Sequence, residues 1–274
     1  MDLAQIPVVR RPRGAYRPRG MIDVAFTRAE LRPAQVTVVI DALRATATAV
    51  AALGAGYRRV LFTDAIDEAL TMRGPGRILA GEERCLMPAG FDQGNSPADA
   101  ARRRGDELVL ATTNGTPAII AATRTSGTVL LASMLNLAAT IRRLHDLDGA
   151  DLQLVCAGAE GAVALEDVYV AGRIADALSG PRTDAALAAE AVCRGYADPL
   201  AAFEAGAGAT RLHAAGLGAD ITYCARESAV DVVAIAGARI QETGGRPLVE
   251  CEPVACDMPR FTGDRQTRLG ATPE

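Results

Sequence analysis

The chain has 274 residues and a net charge of −4, with 49% hydrophobic and 23% charged residues, the balance of a globular protein with a substantial core. All 29 basic residues are arginine, and histidine occurs only as His145 and His213. Without lysine there is no Schiff base, no pyridoxal-phosphate anchor and no Walker A lysine, and two histidines cannot build a tri-histidine zinc site. Chemistry then falls to carboxylates, hydroxyls, amides, arginines and backbone N–H groups. Alanine at 55 of 274 residues, with arginine replacing lysine, reads as the signature of a GC-rich genome; the exclusions hold whatever the cause.

The first twenty residues carry Arg10, Arg11, Arg13, Arg17 and Arg19 against Asp2, a local charge of +4. They lack the apolar run of a signal peptide and read as a poorly ordered extension. The remainder carries −8, which gives no general attraction to nucleic acid. No apolar run approaches transmembrane length. Six scattered cysteines form no C-x-x-C pair and read as reduced thiols of a cytoplasmic protein.

From residue 22 onward, short β-branched runs alternate with Ala/Leu-rich amphipathic stretches. The pattern predicts strands at 22–26, 36–40, 59–62, 77–79, 108–111, 128–131, 152–156 and 230–235, and helices at 45–54, 65–73, 98–104, 116–124, 137–147 and 165–178. Segment 183–216 is helical in composition, broken at Gly195, Pro199 and Gly206. The repeated strand–helix alternation predicts an α/β fold: three layers, α/β/α, around a mixed, largely parallel sheet. Residues 21–236 form the expected domain, with two α/β halves facing across the site as one arrangement, and 237–274 an irregular tail. No fixed-period repeat is visible.

Polar clusters follow five of these strands: Asp41-Ala42-Leu43-Arg44, Gly81-Glu82-Glu83-Arg84, Thr112-Thr113-Asn114-Gly115-Thr116, Ser133 to Asn136, and Gly158 to Gly161 with Glu166-Asp167 beyond. Ligands of open α/β sheets bind at the carboxyl ends of strands, so these clusters are expected along one edge. Some of the polar residues have a plainer reading. Asp41 suits a helix cap, Thr112–Thr116 a strand-to-helix turn, Glu166-Asp167 the first turn of a helix dipole, and Asn95-Ser96-Pro97 a helix start. The loop 81–97 is long for a compact domain and therefore a functional candidate. Position 43 is Leu, so the Asp-x-Asp pattern of an aspartyl-phosphate enzyme is absent.

Taken together, Val38–Thr48 (VVIDALRATAT), Ala80–Arg84 (AGEER), Gly90–Pro97 (GFDQGNSP), Thr112–Thr116 (TTNGT), Asn136, Cys156–Gly161 and Leu165–Gly172 (LEDVYVAG) resemble the 2-phosphosulfolactate phosphatase family (ComB-like). The resemblance runs from about Met21 to Ile235 and leaves out both termini. It implies a Mg²⁺-dependent phosphoric monoester hydrolase converting 2-phospho-3-sulfolactate to 3-sulfolactate and phosphate, on the route to coenzyme M.

On these matched positions, physical inference assigns Asp41, Glu166 and Asp167 to the metal. Arg44 and Arg84 neutralise the substrate's anions, and Glu82 is the candidate general base. Thr113, Asn114, Gly115 and Thr116 cradle the phosphoryl oxygens, and Asn95, Ser96 and Asn136 orient the substrate. The expected partner is a small anionic phosphorylated substrate, with no nucleic acid and no membrane, and the Ala-rich helices suit a homo-oligomer. The alternatives are a phosphatase of the same fold acting on a different small phosphorylated acid, and a non-catalytic sensor of an anionic metabolite.

Overall fold

The described residues of the computed structural model are 20–102, 104–237 and 248–254. Strand β1 is Ile22–Ala25 and β2 is Val36–Ile40, a β-branched run buried at every position. Burial at successive residues, which face opposite sides of a sheet, means that both faces are covered. Helix α1 (Ala45–Gly54) follows, buried from Ala45 to Leu53, as a helix apolar all round requires. The chain continues through β3 (Arg59–Thr63), α2 (Ile66–Thr71), β4 (Arg77–Gly81), β5 (Gln93–Gly94) and α3 (Pro97–Ala100). Then come β6 (Glu107–Ala111), α4 (Gly115–Thr125), β7 (Thr128–Ala132), α5 (Leu137–His145) and β8 (Leu152–Cys156). A helical layer follows: α6 (Leu165–Ala177), α7 (Asp184–Arg194), α8 (Pro199–Glu204), α9 (Ala207–Ala214) and α10 (Gly218–Cys224). Strands β9 (Val233–Gly237) and β10 (Leu248–Val254) complete the described chain.

The sheet order is β1-β8-β2-β7-β9-β10-β3-β6-β4-β5. Within β1-β8-β2-β7 and within β3-β6-β4-β5 every pairing is parallel. Between these blocks, β9 and β10 pair antiparallel with each other and with their outer neighbours. The sheet is thus mixed and mostly parallel, as expected, but its two blocks run in opposite senses.

Strand β10 lies inside the segment expected to be an irregular tail. Leu248, Val249 and Cys251 are buried against β3 and β9, whereas the following residues are exposed. Its apolar pattern is short and interrupted by Glu250, Glu252 and Pro253, which hides it from a reading based on periodicity.

The two blocks also repeat a connectivity. From β2, the third strand out from the β9–β10 junction, the chain passes through α1 to β3 in the other block, then through α2 to β4. From β6, again third from the junction, it passes through α4 to β7 in the first block, then through α5 to β8. The sequence shows no fixed period because corresponding segments differ in length. The local turns nevertheless match: Asp41 N–H donates to Thr46 Oγ1 and Thr112 N–H donates to Thr116 Oγ1. Helices α1 and α4 pack against each other and against strands of both blocks.

On a flat sheet the carboxyl ends of β2 and β6 would point to opposite edges. Sheet twist turns successive strands by roughly 20–25°, or about 100–125° over the five steps between them. With α1 and α4 crossing both blocks, the loops after β2, β4, β6 and β8 meet, as their mutual hydrogen bonds record.

Candidate active site

These loops, with α6 and α9, line one cleft. Its walls include Asp41, Arg44, Glu82, Asn95, Asn114, Glu166, Asp167 and Arg211. The sequence places the first seven of these in its candidate set.

Asp41 leaves β2 directly. Its Oδ1 accepts the Ala45 N–H at 3.0 Å, which ties down the start of α1, and the residue is 7% exposed. One side chain therefore both holds the start of α1 and lines the cleft. Gly115 brings α4 against it: a Cβ there would stand 2.5 Å from Asp41 Oδ2 and from Ala45 Cβ. No larger residue fits without moving the carboxylate.

Asp167 is buried on α6, where Oδ1 accepts the Ala42 N–H at 2.8 Å and Oδ2 the Gly158 N–H at 3.1 Å. Glu82 plays a parallel part in the other block, accepting the Thr113 N–H at 2.8 Å and the Cys85 N–H at 2.9 Å. Both acids brace loops as well as facing the cleft. Glu166 is different. It is 3% exposed, and its Oε2 has no hydrogen-bond partner. Asn95 Oδ1 is likewise buried without a partner on the same cleft. Buried polar atoms are normally satisfied, so such exceptions point to a missing ligand.

Electrostatics sharpen the contrast. Burial above all, with the nearby Glu82 and Glu166 charges, raises the Asp41 carboxyl to about 7 against the opposing Ala45 N–H and Arg44. Burial also raises Glu166. Asp167 is driven well above the usual carboxylate range by burial and by the charges of Asp41 and Glu166. Three acids thus crowd one cleft beside Arg44 and Arg211, and among the described residues none of the three is ion-paired. Arg44 is 4% exposed and donates to Asp220 Oδ2 at 2.5 Å. Among the described residues, no group of three or more His, Cys, Asp or Glu side chains forms a ready metal-binding set. Asp41, Glu166 and Asp167 share the cleft, but Asp167 directs both oxygens to backbone N–H groups.

Several expected site residues sit elsewhere. Arg84 is exposed and lines the outer mouth of the cleft with Thr113, not its interior. Thr116 is fully buried, and its N–H and hydroxyl both bond Thr112 across the turn. Ser96 caps α3 through the Asp99 N–H and donates to Asp220 Oδ1 at 2.7 Å, so it acts on Arg44 at one remove. Asn136 accepts the Ser133 N–H and donates to the Leu131 and Val232 carbonyls, which places it in the frame of the β7–α5 turn. Asn114 does line the cleft, and its Oδ1 accepts the Glu160 N–H at 3.0 Å.

Arg211, Asp220 and Gly208 are absent from the sequence-derived set. Gly208, Arg211 and Leu212 present one face of α9 to the cleft, with i, i+3, i+4 spacing. That stripe has no mark distinguishing it from an ordinary helix face. His213 bonds Glu204 on the surface. Cysteines 85, 156, 193, 224 and 251 are free thiols, and Cys256 lies outside the described residues. The arginine-rich arm, residues 1–19, also lies outside them. No helix among the described residues is long and apolar enough to cross a membrane.

Residues 25–238 match the family model of 2-phosphosulpholactate phosphatase. A protein of Thermus thermophilus named probable 2-phosphosulfolactate phosphatase is 40% identical over 213 residues, covering 76% of this chain and 90% of its own. Proteins of the same name from Deinococcus radiodurans and Pseudothermotoga lettingae are 38% and 36% identical, covering 70% and 78% of this chain and 84% and 95% of theirs. All the cleft residues named above fall within the matched span. The chain belongs to the 2-phosphosulfolactate phosphatase family.

Proposed function

We propose that the cleft hydrolyses the phosphate monoester of a small 2-hydroxy acid, 2-phospho-3-sulfolactate, to 3-sulfolactate and phosphate, with Mg²⁺ as cofactor. The observation that carries this reading is the excess of buried carboxylate at the junction of the β2, β4, β6 and β8 loops. Hard oxygen donors that form no ion pair of their own suit a divalent ion, and Mg²⁺ commonly takes one or two carboxylates and keeps several waters. Asp41 and Glu166 are the donors that fit: one has its carboxyl raised to about 7, the other an oxygen without a partner. When bound, the ion would neutralise phosphoryl oxygens and lower the pKa of a water.

The chain's own groups do the rest. Arg44, held by Asp220, offers a fixed positive charge to the phosphoryl group. Asn95 and Asn114 orient it from the opposite loops. Glu82 accepts the proton of the attacking water, in the role left vacant by the absence of histidine from the cleft. Asp167 positions the Asp41 and Gly158 loops through its two backbone contacts. The test is phosphate release from 2-phospho-3-sulfolactate by the purified protein in Mg²⁺, abolished by EDTA and by Asp41→Ala. Equal release in the Asp41→Ala protein would contradict the assignment.

A further inference from the structure

The cleft has two arginines on its inner wall, and they differ in state. Arg44 is buried and ion-paired to Asp220 at 2.5 Å. Arg211 is exposed, and its side chain makes no hydrogen bond or ion pair among the described residues. It belongs both to the inner cleft and to the outer mouth lined by Arg84, Leu86 and Thr113. Its guanidinium therefore stands at the junction of the two compartments.

The geometry of α9 explains why it stands there. Gly208 lies one turn before Arg211 on the same face, and a Cβ at 208 would collide with Glu166 Oε1. A Cβ at Gly206 would stand 2.7 Å from Glu166 Oε2. The two glycines thus let α9 close onto Glu166, and the closure carries Arg211 to the lip of the cleft. Its charge is felt by Glu166 and by Cys85, on opposite walls.

We infer that Arg211 is the specificity-determining residue of the cleft, binding the oxyanion that the substrate carries on a carbon next to its phosphoester carbon. This rests on the phosphatase reading above. With the phosphoryl group against Asp41, Glu166 and Arg44, a second anion one or two bonds away projects toward the mouth. There Arg211 is the inner-wall cation with no carboxylate already bound. A guanidinium takes a carboxylate or a sulfonate through the same paired N–H donors. The chemistry recognised is a charged oxyanion on a short acid, and neutral alcohol phosphates lack it.

The test compares wild type with Arg211→Gln and Arg211→Lys on three phosphate esters in Mg²⁺: 2-phospho-3-sulfolactate, 2-phospholactate and ethylene glycol phosphate. In Arg211→Gln, kcat/KM for the acid or acids whose anion Arg211 holds falls at least tenfold, mainly through KM, and that for the glycol ester changes less than twofold. Arg211→Lys recovers part of the loss. A loss on both acids assigns the carboxylate, and a loss on the sulfolactate ester alone assigns the sulfonate. Calorimetric binding of 3-sulfolactate reads the same residue without turnover, and Arg211→Gln weakens it about tenfold. Absence of turnover by wild type on all three esters would defeat the phosphatase reading alone. Unchanged ester selectivity, equal losses on all three, or 3-sulfolactate binding that is absent from wild type or unaffected by Arg211→Gln would overturn the role of Arg211.

Discussion

Replacing Asp41 by asparagine keeps the oxygen that accepts the Ala45 N–H and removes the charge. In the folded protein the Asp41 carboxyl is raised from 3.8 to about 7. The folded state therefore holds this proton more tightly than the unfolded chain does. The penalty vanishes well below pH 3.8. It grows as pH rises through the window from 3.8 to about 7, and it is complete above that. One pKa unit corresponds to about 1.4 kcal/mol, so the ceiling is about 4 kcal/mol at pH 8. Urea denaturation in EDTA at pH 5 and pH 8 reads it directly. Wild type loses stability across the window. Asp41→Asn loses less, because only Glu166 and Asp167 still carry raised carboxyls, and at pH 8 it is the more stable protein by up to about 4 kcal/mol. Saturating Mg²⁺ then stabilises wild type and leaves the variant nearly unmoved. The same pH dependence in both proteins would refute the reasoning.

Other outcomes follow from the same contacts. Mg²⁺ affinity, read by thermal shift, rises with pH up to about 7 as the proton on Asp41 ceases to compete, and then levels. Asp220→Ala leaves Arg44 buried without its carboxylate; urea denaturation shows a loss of about 3–5 kcal/mol, and steady-state assays show a large fall in kcat/KM. Gly208→Ala sets a Cβ on the Glu166 carboxylate and displaces it; the folded protein, checked by circular dichroism, loses activity at least a hundredfold. Asn136→Ala removes a buried frame amide, costing about 1–3 kcal/mol of stability, with kcat of the folded protein within about twofold of wild type.

Much of the fold was legible in the chain. The runs Val36–Ile40 and Leu152–Cys156 and the helix Ala45–Gly54 have the bounds that their composition suggests, because β-branched and alanine-rich segments report their state locally. The opposition of the two blocks was not legible. It depends on β9 and β10 pairing across the middle of the sheet, and β10 has few apolar residues to betray it.

The site divides along the same line. Asp41, Glu82, Asn114, Glu166 and Asp167 stand just after strands or open helices, where sequence position alone implies a cleft. Asn136 and Thr116 occupy equally suggestive positions, yet their polar atoms meet local backbone or neighbouring threonine. Hydroxyls and amides serve turns as well as ligands, and only the fold decides which. Arg211 and Asp220 come from helices distant in sequence from the motifs, and their approach to the cleft is a tertiary fact.

The most direct measurement is phosphate release from 2-phospho-3-sulfolactate by the purified full-length chain, with Mg²⁺ and then with EDTA, beside Asp41→Asn and Glu166→Gln. Turnover that requires Mg²⁺ and falls at least a hundredfold in both variants is the predicted result. Turnover that persists in EDTA, or survives in both variants at the wild-type rate, would contradict the assignment of this cleft.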